Sequence, residues 1–213
     1  MVFIDTNILI KVLNGEVAYN IKNKQITSTI AKEFLFFYEY PYYIKVPSCH
    51  FPFPFKYKRS FNKKTCTNIS SCLKIFNKKN EDKIAHEYCD TAIAKAINDQ
   101  RIDIFSIAIS ALNKKKQREI KDRIMFLLAN NIKCKPIDKR IALSADKLFR
   151  EYNKNIHIKD NILNEWRDML IISSVARFKG VLITNDKKVS CISKQYCAAK
   201  IKVLKNKTYE ITY

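Results

Sequence analysis

Two short apolar runs near opposite ends of the chain, Val2-Phe3-Ile4 and Val181-Leu182-Ile183-Thr184, each pass into polar residues that include an aspartate, Asp5 and Asp186. Continuous apolar runs of this length suit strands buried on both faces of a parallel sheet. In open α/β sheets, groups that do chemistry gather where such strands end. The stretch after Asp5 reads as a short helix that stops near Asn14-Gly15, with glycine fitted to a left-handed cap. Thr27 or Ser28 can cap a helix in which Ile30, Phe34 and Phe37 share a face, closed by Pro41. Later, Ile132-Lys133-Cys134-Lys135 reads as a strand. Residues 139–152 read as a helix with Ile141, Ala145, Leu148 and Phe149 inward. Residues 165–178 read as another, with Leu170, Ile171, Val175 and Phe178 on its core face and Lys179-Gly180 ending it. Ile201 to Leu204 offers a last strand. Strands alternating with helices predict an α/β fold with parallel pairing.

Between these two halves the character changes. Residues 41–80 hold four of the five prolines, nine basic residues and no acid, with eight aromatic rings interleaved. Rings for base stacking and cations for phosphates suit single-stranded nucleic acid; a hydrophobic loop packed on the domain fits the composition as well. Residues 81–130 read as helical throughout. Ile84, Ala85, Tyr88, Ala92 and Ile93 make one stripe, and Lys114 to Arg118 make a basic connection between helices.

Forty Lys and Arg against twenty Asp and Glu give a formal net charge of +20. That excess favours a polyanionic partner, because each phosphate neutralised releases condensed counterions. A genomic habit of Lys codons would add cations, but it does not account for so few acids. Gly15 and Gly180 are the only glycines, which argues against a P-loop or a dinucleotide fingerprint. The seven cysteines form no CxxC pattern and read as reduced, buried thiols; Cys49 beside His50 is the best place for a zinc ligand pair, and a poor one. No apolar run nears the ~20 residues needed to cross a bilayer, and no secretory signal precedes Val2, so the expected compartment is the cytoplasm, away from membrane.

The chemistry is expected from four carboxylates. Asp5 and Asp186 end strands, while Glu33 and Asp168 lie near the starts of helices that open onto the same sheet edge. Four such groups repel unless cations hold them, and a cluster of hard oxygen donors selects Mg²⁺ or Mn²⁺ over zinc. Such an ion activates a water and stabilises charge on a phosphodiester. Taken singly, each acid reads as a helix cap or a surface charge; taken together they read as a site.

Ile4-Asp5-Thr6-Asn7 resembles the opening motif of the PIN-domain nucleases, VapC-type toxins in particular. Thr27-Ser28 with Lys32-Glu33-Phe34-Leu35 is similar to the segment that carries the family's second acid. Pro136-Ile137-Asp138, Ile141-Ala142, Ala145 and Leu148 look like its penultimate helix region. Asp168-Met169-Leu170-Ile171, followed 18 residues after the aspartate by Asp186 in Leu182-Ile183-Thr184-Asn185-Asp186, has the family's interval and flanks. The likeness covers about 1–38 and 131–205. It implies a single domain over 1–213, built as a three-layer α/β/α fold on a parallel sheet of four to five strands, with 41–130 as an enlarged middle region inserted between the halves. It further implies that Asp5, Glu33, Asp168 and Asp186 bind Mg²⁺ (or Mn²⁺) and catalyse, with Asn7, Thr184 and Asn185 as polar supports. RNA is the expected substrate; the basic and aromatic composition, not the likeness, offers Lys56, Tyr57, Lys58, Arg59, Lys63 and Lys64 of the middle region as contacts, with Lys187 and Lys188 after the last acid. A cognate antitoxin protein and a homodimer are the partners implied.

Other readings fit less well. A haloacid-dehalogenase-like phosphatase needs an acid where Asn7 stands, and a response-regulator receiver needs an acidic pair beside its first strand. A non-catalytic RNA-binding module would bind phosphate better without four acids. A structure-specific DNA nuclease shares the metal chemistry, but its glycine-containing hairpin motif has no place here.

Overall fold

The computed structural model describes residues 1–35, 73–77, 84–88, 90–109, 113–155, 162–196 and 199–204. Lys56, Tyr57, Lys58, Arg59, Lys63, Lys64 and the Cys49-His50 pair lie outside them.

Five strands make one parallel sheet: β1 (Val2–Ile4), β2 (Gln25–Thr27), β5 (Lys133–Lys135), β6 (Val181–Thr184) and β7 (Lys200–Val203), in the order β5-β2-β1-β6-β7. The helices α1 (Thr6–Leu13), α2 (Ser28–Phe34), α3 (Asp90–Asn98), α4 (Ile102–Ala108), α5 (Lys114–Ala129), α6 (Lys139–Asn155), α7 (Ile162–Arg177) and α8 (Lys187–Tyr196) complete a three-layer α/β/α arrangement. The middle strand β1 sends the chain to β2 on one side, whereas β6, from the other end of the sequence, pairs on its other side with Ile4 opposite Ile183. The order therefore reverses between β1 and β6, and in open sheets that is where a crevice forms beyond the strand ends.

Local chemistry explains the turns that set this up. Helix α1 ends in a Schellman motif, in which the Glu16 N–H reaches the Lys11 carbonyl at 2.8 Å and the Gly15 N–H reaches that of Val12 at 3.1 Å. Gly15 takes φ 73°, a conformation glycine enters without steric cost. Helix α7 ends in the same motif, but the residue at positive φ is Lys179 (φ 50°), not the glycine after it. Gly180 answers to a different constraint: a Cβ there would stand 2.6 Å from the Phe3 ring.

Three expectations are corrected. Residues Ile84–Tyr88 are not helical but form β4, paired antiparallel with β3 (Leu73–Asn77), because cross-strand hydrogen bonding overrides a five-residue stripe too short to fix its own period. Lys114 to Arg118 are not a connection but the opening of α5, where the Asn113 side chain accepts from the Lys116 N–H at 2.9 Å. Glu33 does not sit in the first turns of a long helix, since α2 has seven residues and Glu33 is the sixth.

The core is continuous across the sequence. Phe3, Ile4, Ile26, Ile30, Ile141, Met169, Ile172 and Leu182 are buried with Ile93, Ile97, Ile120, Ile124 and Leu127 from α3 and α5. Helix α3 packs on α2 and β5, so part of the middle region shares the main core.

Candidate active site

Asp5 is the first residue past β1 and the N-cap of α1. Its Oδ1 accepts from the Thr6 N–H at 2.7 Å; its Oδ2 accepts from Asn7 Nδ2 at 3.1 Å and from the Thr184 hydroxyl. Thr184 ends β6, and its hydroxyl also accepts from the Asp186 N–H at 2.9 Å and from Asn7 Nδ2 at 3.2 Å. Asn7 closes the ring by accepting from the Asn185 N–H at 3.2 Å. One threonine hydroxyl and one asparagine amide thus lock the ends of β1 and β6 together. Asp186 in turn caps α8, its Oδ1 accepting from the N–H groups of Lys188 (2.7 Å) and Val189 (3.3 Å). The capping role and the site role fall on the same aspartates.

Glu33 comes from α2, and its Oε2 accepts from the Thr6 hydroxyl at 2.7 Å. Asp168 comes from the middle of α7, half-buried, and not from near a helix start as expected, because α7 begins at Ile162. Burial pushes the Asp168 carboxyl up to about 8, with the charges of Asp186, Glu33, Asp5 and Glu165 adding to the rise. Burial also pushes Glu33 up to about 7; the Thr6 hydroxyl restrains the rise, the Asp5 charge adds to it and the Arg167 charge opposes it. Asp5 is raised by burial against the hydrogen bonds from Thr184, Thr6 and Asn7, with Asp186 adding repulsion. All four expected acids therefore share one electrostatic neighbourhood.

The four acids offer only oxygen as metal-ligating atoms, which fits a hard divalent cation rather than zinc. A cation there would offset both the desolvation and the mutual repulsion that now favour protonation. Among the described residues, no three acidic, histidine or cysteine side chains stand already arranged around an ion position. The acids are a charge cluster that a cation would draw together.

Two groups escaped the sequence reading. The Thr6 hydroxyl is part of the Asp-Thr-Asn motif but signals nothing until Glu33 is placed against it. Glu165, three residues before Asp168, is buried and forms an ion pair with Lys188. Lys187 and Lys188 themselves are exposed in the first turn of α8, beside Asp186.

The model of the PIN domain matches residues 72–194, more than half of the chain. The chain belongs to the PIN-domain family. Its members are generally nucleases and typically use divalent metals. The matched span holds Asp168 and Asp186 and takes in α3, α4 and α5 of the middle region. Asp5 and Glu33 precede it, and the fold brings their charges to bear on Asp168. No curated protein and no solved structure matches the chain significantly.

Proposed function

We propose that this PIN domain is a Mg²⁺- or Mn²⁺-dependent endoribonuclease whose site is Asp5, Glu33, Asp168 and Asp186. The observation that carries this is the convergence of the four charges at the β1/β6 reversal point, with the two strand ends locked by Thr184 and Asn7. Asp5, Asp168 and Asp186 would hold the ion, and Glu33, oriented by Thr6, would complete the oxygen set. When bound, such an ion supplies a more acidic water and charge stabilisation on the phosphodiester. The chain supplies orientation. Hydrogen bonds fix both Asp5 oxygens, and the Asp186 cap fixes the direction from which its carboxylate faces the crevice.

A net charge of +20 around an acidic site supports a polyanionic substrate. Rings interleaved with cations in residues 41–80 support single-stranded RNA as that substrate. Likeness to VapC-type toxins supports a toxin role, with a protein antitoxin and a homodimer as partners.

The test is cleavage of single-stranded RNA, structured RNA and DNA, in Mg²⁺ and in EDTA, by wild type and Asp5→Asn. RNA should be cut in Mg²⁺ only, and Asp5→Asn should lose at least about a hundredfold in rate, the scale of removing a group that stabilises transition-state charge. Cutting that persists in EDTA would sink the metal mechanism. Preferential cutting of DNA would move the assignment to a DNA nuclease, and binding without cutting to a non-catalytic module.

A further inference from the structure

Glu165 lies one turn before Asp168 on α7, and Lys188 lies two residues after Asp186 on α8. Their ion pair is poorly suited to stabilising the fold. Lys188 stands in the first turn of α8, the end of a helix that disfavours a cation. Glu165 is 7% exposed, and only Oε1 meets the ammonium; Oε2 is buried with no hydrogen-bond partner among the described residues. A buried carboxylate left half-satisfied is costly, and such a group calls for an explanation other than packing. The position of Glu165 in the first turn of α7 offsets only part of that cost.

The pair holds a cation within electrostatic reach of Asp168. Asp168, Tyr152 and Glu165 are the ionisable groups that act on Lys188, and Tyr152 meets Tyr196 edge to face beside them at 5.9 Å between centroids. The Lys188 side chain remains 45% exposed although it is paired with Glu165.

We propose that Lys188 is a backbone-phosphate contact of the site, and that Glu165 is the positioning residue that aims it beside the four acids. This deepens the nuclease reading and rests on it: a phosphodiester brought to an acidic cluster needs a fixed cation to oppose the repulsion, and a tethered lysine supplies one without occupying an acid. The contact is to a phosphate oxygen, so it is indifferent to base sequence.

The experiment uses the full chain in the Asp5→Asn background, in EDTA so that cleavage is suppressed, and follows polarisation of a labelled mixed-sequence oligoribonucleotide across a salt series. Lys188→Met should weaken binding several-fold and reduce the slope of log affinity against log salt by about 0.7, the loss of one phosphate contact on a single strand. Lys188→Arg should restore that slope. Glu165→Gln should keep the slope but weaken binding; with Asp5 intact, it should raise KM while kcat changes little. Parent affinity and slope in Lys188→Met would overturn the proposal, as would a fall in melting temperature in both variants with binding unchanged. If wild type binds RNA but cuts nothing while Lys188→Met still loses its slope, the nuclease reading fails and the phosphate contact stands.

Discussion

Asp168 and Glu33 hold their protons more tightly in the folded chain than in the unfolded one, reaching about 8 from 3.8 and about 7 from 4.5. A group of this kind adds stability at low pH, where folded and unfolded forms are both protonated. That contribution shrinks as pH rises past the unfolded value, and it is gone once the folded value is passed. The metal-free protein should therefore melt at progressively lower temperature as pH is raised from about 4 to about 8, the window these two groups define. Added Mg²⁺ should restore more stability at the alkaline end, where the carboxylates are charged and bind it. Differential scanning fluorimetry across that window, with EDTA or with Mg²⁺, checks both; a flat profile in EDTA would show that burial and mutual repulsion do not raise these two groups. At this scale the sequence was informative where a residue follows a strand, as Asp5 and Asp186 do. It was silent where the partner is remote, as with Thr6 and Glu33, 27 residues apart, or Glu165 and Lys188, 23 apart.

Helix and strand ends show which signals are local. Thr27 caps α2 by accepting from the Ile30 N–H at 3.2 Å, as its residue type and place suggest. Gly180 was also readable as punctuation, but its reason is tertiary. The end of α7 places its backbone against the Phe3 ring of β1, and any side chain there meets that ring. Gly180→Ala should destabilise the protein by about 1–3 kcal/mol, the usual cost of overpacking a close contact, read as a lower midpoint in urea. An unchanged midpoint would mean that Phe3 moves aside freely. The strand β4 escaped the sequence reading for the opposite reason: five residues carry too little pattern to separate a period of two from one of 3.6.

Across the whole molecule, the middle region is tied to the N-terminal half by a buried network. Asp90, the first residue of α3, accepts from the Ser28 hydroxyl at 2.7 Å and lies 2.9 Å from the Lys32 ammonium; the Ile137 N–H donates to Ser28 Oγ at 3.2 Å. Lys32 is the neighbour of Glu33, so this pair fixes the helix that delivers the second acid. Arg123 of α5 adds a hydrogen bond to the Phe34 carbonyl at 2.7 Å and so secures the other end of α2. Both charges of the pair are almost fully buried, and removing one leaves the other uncompensated. Asp90→Ala should cost about 3–5 kcal/mol in denaturant unfolding, and the double change Lys32→Met with Asp90→Leu should recover most of it. Equal losses in the single and double variants would show that the Ser28 hydrogen bonds, not the charges, carry the contribution.

The sequence by itself determined the elements that bear the site: apolar strands ending in Asp5 and Asp186, a threonine-capped helix leading to Glu33, and a helix holding Asp168. Each depends on neighbours within a few residues, where capping, periodicity and strand ends act. Only the tertiary structure decided that β6 lies beside β1, that the strand order reverses between them, and that Thr184 and Asn7 bolt the two ends together. The same holds for α3, read as insertion and found in the core. Strand order and burial are set by which surfaces cover one another across the whole chain, and no local pattern encodes that. Four acids that each look like a cap or a surface charge become a candidate site because the fold makes them share one electrostatic environment.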